Sequence, residues 1–276
     1  MRLLAVGAFL LALTGGYVLM LRHFNVSELP GERHFGAVEP AAEVYLEPIG
    51  IDALNDAMQM RAYLSPSVTE SKDARAGSDR DLTLLVTHDK TVEEVKLGAG
   101  DHMASSIFEI DLNDGTVADY PLDSYVARFG VQLLDGKSSH RLPVRVTTWE
   151  GVLGYSLHTT NQPQADPEDV QLTTTIGRGG AFTLFALCAY AGMVVLGLCA
   201  LAIGVLTFTD VRQHETGFIG SLAAIAFALP VLRNAMPGSP PLGVQADMWV
   251  FLWAELAAVL ALALVVFKWV RAGPRP

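Results

Sequence analysis

The chain has 276 residues, 51% of them hydrophobic, with a formal net charge of −10. That is too apolar for an ordinary soluble protein and too polar in its middle for a pure membrane bundle. Residues 23–180 carry 12 basic and 25 acidic side chains, a net of −13, and the flanking segments sum to +3. So acidic a middle disfavours nucleic acid or anionic lipid as its partner and suits a cationic ligand or a basic protein surface. Both cysteines, Cys188 and Cys199, fall in one apolar segment, so the polar middle has no disulfide and must be held by its own core.

Residues 3–21 form a charge-free run between Arg2 and Arg22. It is long enough to cross a hydrocarbon core of about 30 Å at about 1.5 Å per residue. We read it as an uncleaved anchor over 1–22. A cleaved signal peptide is the rival reading, against which stand the length of the run and the lack of a small-residue cleavage site in Tyr17-Val-Leu-Met-Leu-Arg22. Residues 23–40 read as a polar connector. From 41 to 178 the pattern alternates, with strands expected at 43–49, 58–64, 82–87, 92–97, 107–112, 125–134, 144–149, 155–159 and 170–176. A charged loop covers 71–81, and Asn113-Asp-Gly115 and Asp135-Gly136 give turn signals. Short strands at close spacing, without an amphipathic helix, predict an antiparallel sandwich or barrel.

From 179 to the end, three further apolar spans follow, at 179–209, 217–232 and 248–267. Gly197 and Gly204, seven apart, share a helix face that another helix can approach closely. Pro230 is expected to kink or end the third span. The predicted fold class is therefore an α+β membrane protein with an exported, antiparallel β-sandwich-like domain and four transmembrane helices, one before it and three after. Arg2, Arg212, Lys268, Arg271 and Arg275 flank the spans on the side of the termini, against Arg22, Arg178 and Arg233 on the other. That excess places both termini in the cytoplasm and the β domain outside the plasma membrane, with Trp249, Trp253 and Trp269 as interface anchors.

The stretch joining the last two spans carries the candidate site: Arg233, Pro237, Pro240, Pro241, Asp247, Trp253 and Glu255. Charge inside a membrane segment is costly and marks function by default. Asp247 is expected at the outer mouth as a helix cap or dipole partner, within reach of Arg233. Glu255 lies about 12 Å deeper along the helix. Its surroundings, whether an Arg233 partner, lipid or a cavity, separate a helix-locking ion pair from a proton- or cation-linked site. The prolines reduce the donors that the loop must satisfy. A second candidate is a β-domain corner at Tyr120, Pro121, Asp123 and Tyr125, with the tyrosines forming an aromatic cluster and Asp123 bonding loop amides. His88, His102, His140 and His158 show no close ligand spacing with one another or with cysteine. No nucleophile elbow, phosphate loop or catalytic carboxylate spacing is present, so no catalytic, cofactor or metal residue is assigned.

Tyr120-Pro-Leu-Asp-Ser-Tyr125, and Arg233-Asn-Ala-Met-Pro-Gly-Ser-Pro-Pro-Leu-Gly243 followed by Asp247 and Phe251-Leu-Trp-Ala-Glu255, resemble a membrane-protein family catalogued as domain of unknown function 4436. The resemblance covers nearly the whole chain and implies its topology, without carrying over an activity. The order of a β domain followed by membrane helices is also similar to pentameric ligand-gated channels, in layout alone. The functional expectation is an envelope binding or scaffold protein whose acidic β domain engages a protein partner or small ligand, in a chain that is able to oligomerise within the lipid bilayer. The alternatives are a transport or channel subunit using Arg233, Asp247 and Glu255, and a lipid-acting envelope enzyme.

Overall fold

A computed structural model of the chain describes residues 2–23, 30–66, 78–89, 91–161, 168–211 and 215–272. The first part of the expected connector, most of the charged loop at 71–81, and Arg212 and Arg275 lie outside these residues. The chain divides into two units. A β unit comprises Ser27–Thr116 and Asp123–Gly179; a helical unit comprises Met1–Val26, Val117–Leu122 and Gly180–Pro276.

The β unit has twelve strands: β1 (Glu32–Gly36), β2 (Ala42–Asp52), β3 (Ala57–Pro66), β4 (Leu82–His88), β5 (Thr91–Leu97), β6 (Ala104–Asn113), β7 (Ser124–Asp135), β8 (Arg141–Leu142), β9 (Val144–Trp149), β10 (Gly151–Val152), β11 (Tyr155–Asn161) and β12 (Val170–Arg178). Each of the nine segments expected as strands is one. The connector was expected to be irregular, yet β1 lies within it and pairs antiparallel with β9. Its Glu-Arg-His-Phe-Gly sequence has a single apolar residue before the glycine, so alternation could not reveal an exposed edge strand.

The expected sandwich of antiparallel strands is corrected in two ways. The strands join in one connected sheet, in the order β1-β9-β2-β3-β6-β7-β12-β11-β10 with β4, β5 and β8 branching from β7. One pair, β2 with β9, is parallel. The sheet curls at β7, whose start pairs with β6 and whose later residues pair with β4, while its other edge carries β12. Gly130 lies between Thr87 of β4 and Gln171 of β12, where an added Cβ would come within 2.7 Å of either side chain. Alternate residues point into the curl. Leu46, Met58, Leu64, Leu84, Ile110 and Leu133 are fully buried there, each contributing about 1.5–3 kcal/mol by removal from water.

The helical unit holds α1 (Arg2–His23), α2 (Gly180–Phe208), α3 (Thr216–Asn234) and α4 (Leu252–Ala272), the last preceded by a π-helical turn at Asp247–Phe251. Four spans were expected. Among the described residues three helices are long and apolar enough to cross a membrane: Gly180–Phe208, Thr216–Asn234 and Asp247–Arg271. Gly197 faces Ala254 and Gly204 faces Ala261, where added Cβ atoms would stand 2.9 and 2.6 Å from the opposing Cα atoms. The constant offset makes α2 and α4 parallel, with α3 returning between them. Pro230 does not end α3, which continues to Asn234. Unravelled backbone facing lipid would cost more than the one hydrogen bond that proline removes. Trp249 and Trp269 are exposed and stand about 30 Å apart along the helix, which matches the hydrocarbon thickness.

Candidate functional site

Arg233 lies in the last turn of α3 and Asp247 opens the helix that becomes α4, so the 13 residues between them must turn the chain back. Gly243 adopts a φ of +99°, a conformation open to glycine at little cost, and its N–H donates to Asp247 Oδ2 at 3.1 Å. Arg233 Nε donates to Asp247 Oδ1 and Oδ2 at 3.0 and 3.1 Å, and Nη2 to Oδ2 at 2.5 Å. The remaining direction of the guanidinium is filled by backbone: Nη1 donates to the Pro240 carbonyl at 3.0 Å and Nη2 to that of Pro241 at 2.6 Å. Tyr190, ten residues into α2, donates its hydroxyl to Asp247 Oδ1 at 3.1 Å. Arg233 is 4% exposed and Asp247 2%.

This is a closed network tying α2, α3, the proline loop and α4. Each guanidinium nitrogen has an acceptor, and both carboxylate oxygens have several donors. A buried pair so satisfied is costly to break, because the surviving partner keeps its desolvation penalty. The prolines matter through their carbonyls, which are acceptors for arginine, beyond their lack of N–H groups. Asp247 was expected as a helix cap or dipole partner within reach of Arg233. It lies in the first turn of its helix and its carboxylate meets Arg233, while the residue preceding the π-helical turn, Ala246, has no side-chain cap bond.

The other members of the stretch are placed differently. Trp253 is 40% exposed and lies against Gly197. Pro237 is reached from elsewhere in the chain: its carbonyl accepts the Tyr120 hydroxyl at 2.9 Å. Glu255 is not joined to Arg233. Its Oε2 is buried and has no hydrogen-bond partner among the described residues.

The expected corner comes apart. Tyr120 packs into the core of the helical unit with Tyr190, Met193 and Met236, and Tyr125 into the core of the β unit. Gln245 Nε2 donates to Asp119 Oδ1 at 2.8 Å, a second bond holding residues 117–122 within the helical unit. Asp123 does not bond loop amides. Arg178 Nε meets both its oxygens at 3.0 Å, and the Tyr125 hydroxyl donates to Oδ2 at 3.0 Å. The Arg178 guanidinium also lies 4.7 Å from the centre of the Tyr155 ring. Burial, and then the neighbouring Asp123 charge, push the Tyr125 phenol well above its usual value.

A surface that sequence reasoning passed over lies on the outer side of the sheet. Strand register aligns His34, Thr147, Tyr45, Tyr63 and Ser105 in one row across β1, β9, β2, β3 and β6. Glu32 and Trp149 pair in the adjoining row, as do Glu47 with Arg61 and Arg61 with Ile107. The Tyr45 and Tyr63 rings are 6.2 Å apart. The Tyr45 hydroxyl donates to Glu32 at 3.5 Å, and Arg61 Nη1 donates to Glu47 and to the Tyr63 hydroxyl at 3.3 Å each. Burial, followed by the Glu32 and Glu47 charges, raises the Tyr45 phenol. The signal was present in the alternation: core residues Val44 and Leu46 leave Tyr45 and Glu47 facing outward.

His88 Nδ1 is 3.3 Å from Asp111, and His158 Nδ1 is 3.1 Å from Arg33. Among the described residues no three or more His, Cys, Asp or Glu side chains are grouped to hold a metal ion.

Two family models match the sequence. One, described as Domain of unknown function (DUF4436), matches residues 36–175. The other, Domain of unknown function (DUF8686), matches residues 178–272. A search of curated proteins returned no match.

Proposed function

The chain belongs to the DUF4436 family, and we propose that it is a multi-pass membrane protein whose acidic β unit docks a basic protein surface. The observation that carries this reading is the outer face of β1, β9, β2, β3 and β6. There Tyr45, Tyr63 and Trp149 stand among Glu32, Glu43, Glu47 and Glu109, with Arg61 and Arg145 as the cations. Tyr and Trp anchor interfaces, and carboxylates steer a cationic partner towards them. Five adjacent strands at about 4.8 Å spacing make a broad face about 20 Å wide, a shape suited to a protein more than to a small molecule, which prefers a concave site.

In this reading α1 is a fourth span, both termini are cytoplasmic, and the β unit is displayed outside the plasma membrane. The five basic residues Arg2, Arg212, Lys268, Arg271 and Arg275 on the side of the termini, against Arg22, Arg178 and Arg233 on the other, support that orientation. A transport role through Arg233 and Asp247 fits less well, because their hydrogen-bonding capacity is used in joining helices. An enzymatic role has no cluster of nucleophile, base and oxyanion donors among the described residues to support it.

A photo-crosslinking residue at Tyr63 in intact cells tests the reading, with a membrane-impermeant maleimide applied to Ser138→Cys in a background lacking Cys188 and Cys199. The expected result is maleimide labelling from outside and one discrete protein adduct that disappears in Glu43→Lys/Glu47→Lys. No adduct, or the same adduct from a crosslinker at Gln171 on a different part of the sheet, would defeat the proposal.

A further inference from the structure

At the other end of the spans from Arg233 and Asp247, α2 and α4 leave a cavity of about 240 Å³ lined by Phe208, Phe267, Lys268 and Arg271. Its depth follows from helix geometry. Tyr190 marks the level of the Arg233–Asp247 network on α2, and Phe208 lies 18 residues further, about 27 Å at about 1.5 Å per residue. One end of the bundle therefore carries the sealed ion pair at one boundary of the hydrocarbon, and the cavity opens at the opposite boundary.

The chemistry of the lining is divided. Phe208 and Phe267, with ring centres 6.3 Å apart, give an apolar floor. Arg271 lies over the Phe267 ring, 4.8 Å from its centre. Stacking holds the guanidinium flat and leaves its N–H edge available, and no acceptor for it occurs among the described residues. Lys268 Nζ donates to Asp210 Oδ2 at 2.5 Å. An ammonium has three N–H groups, so it keeps donors for a second acceptor. Asp210 is largely exposed, and the two cations outweigh its single negative charge. Leu260 and Val266 of α4 are exposed on the lipid-facing surface leading to this end.

We propose that this cavity seats the phosphate headgroup of an anionic phospholipid. Arg271 and Lys268 donate to the phosphate oxygens, the glycerol backbone rests on Phe208 and Phe267, and the acyl chains follow the exposed side chains of α4. Basic pockets between helices at a membrane boundary take such headgroups. A planar guanidinium matches a phosphate with two parallel hydrogen bonds. The apolar floor and the position at the hydrocarbon edge select a lipid over free phosphate, which has no use for either. This site lies on the helical unit and is independent of the partner proposed for the acidic β unit.

The test uses the full chain in nanodiscs of mixed phosphatidylcholine and phosphatidylglycerol, with retained lipids counted by native mass spectrometry. The wild-type chain is expected to retain phosphatidylglycerol above its bulk share. Arg271→Gln should lower that retention about tenfold, the scale of one charge-assisted hydrogen bond. Arg271→Lys should restore part of it, and Arg22→Gln should change nothing. If Arg271→Gln does not fold, Phe208→Trp, which fills the cavity and keeps both cations, should show the same loss. Retention of the two lipids in their bulk ratio overturns the proposal. So does undiminished phosphatidylglycerol on a folded Arg271→Gln or Phe208→Trp chain, or displacement of the lipid by inorganic phosphate.

Discussion

Asp123 and Asp247 are both buried aspartates that face an arginine and accept a tyrosine hydroxyl. The tyrosine beside Asp123 feels burial and the carboxylate in the same direction. Its folded-state titration is raised, so the stability it contributes is intact below the unfolded phenol value of about 10 and is lost as pH rises above that. We expect the thermal midpoint of the β unit to fall between about pH 10 and 12, and Tyr125→Phe to flatten the fall. Near-UV circular dichroism against pH reads this out; an equal decline in Tyr125→Phe would assign the alkaline loss elsewhere. These residues also mark what the sequence could not display. Arg178 reads as a charge flanking a span because its partner is 55 positions away. Tyr190 sits in a run without charge. A lone hydroxyl there must find a partner, but nothing local says that the partner is Asp247.

At the scale of elements, α2 and α4 meet through small residues. Ala200, Ala254, Ala258 and Ala261 are fully buried, with Gly197 and Gly204 between them. Lipid offers no hydrophobic gain for helix association, so close van der Waals packing must supply it. Gly204→Leu forces atoms against the Ala261 backbone and is expected to destabilise the bundle by about 1–3 kcal/mol. Gly192→Leu, which meets nothing within 4 Å, is the neutral comparison. Denaturation in sodium dodecyl sulfate measures both, and equal stability of the two variants would contradict this packing. The seven-residue spacing of the glycines was legible because helix periodicity is local. The strands were legible for the same reason, since Val44 and Leu46 alternate with Glu43, Tyr45 and Glu47, and Leu82 and Leu84 flank Thr83. The parallel pairing of β2 with β9 was not: it joins segments about 100 residues apart, and no turn connects them. The two-residue strands β8 and β10 are too short to carry a period.

At the scale of the whole molecule, one sequence motif serves two units. Tyr120-Pro-Leu-Asp-Ser-Tyr125 looks like a single corner, yet Val117–Leu122 belongs to the helical unit and Asp123 onwards to the β unit. A six-residue excursion carries no periodicity of its own, and only the buried destinations of Tyr120 and Tyr125 separate its two ends. The two family models meet between residues 175 and 178, close to the boundary at Gly179. The charges inside the membrane segments then take on a structural role. Arg233 and Asp247 hold α2, α3, α4 and the proline loop together.

The most direct measurement of that division combines Arg233→Met and Asp247→Leu with the Tyr63 crosslinker. Each single substitution is expected to cost about 3–5 kcal/mol, since it leaves a buried charge without its partner, and the double variant should recover much of that loss. A folded double variant that still gives the Tyr63 adduct at wild-type yield is expected. A folded double variant that loses the adduct would contradict it, because the charged pair would then be part of the function.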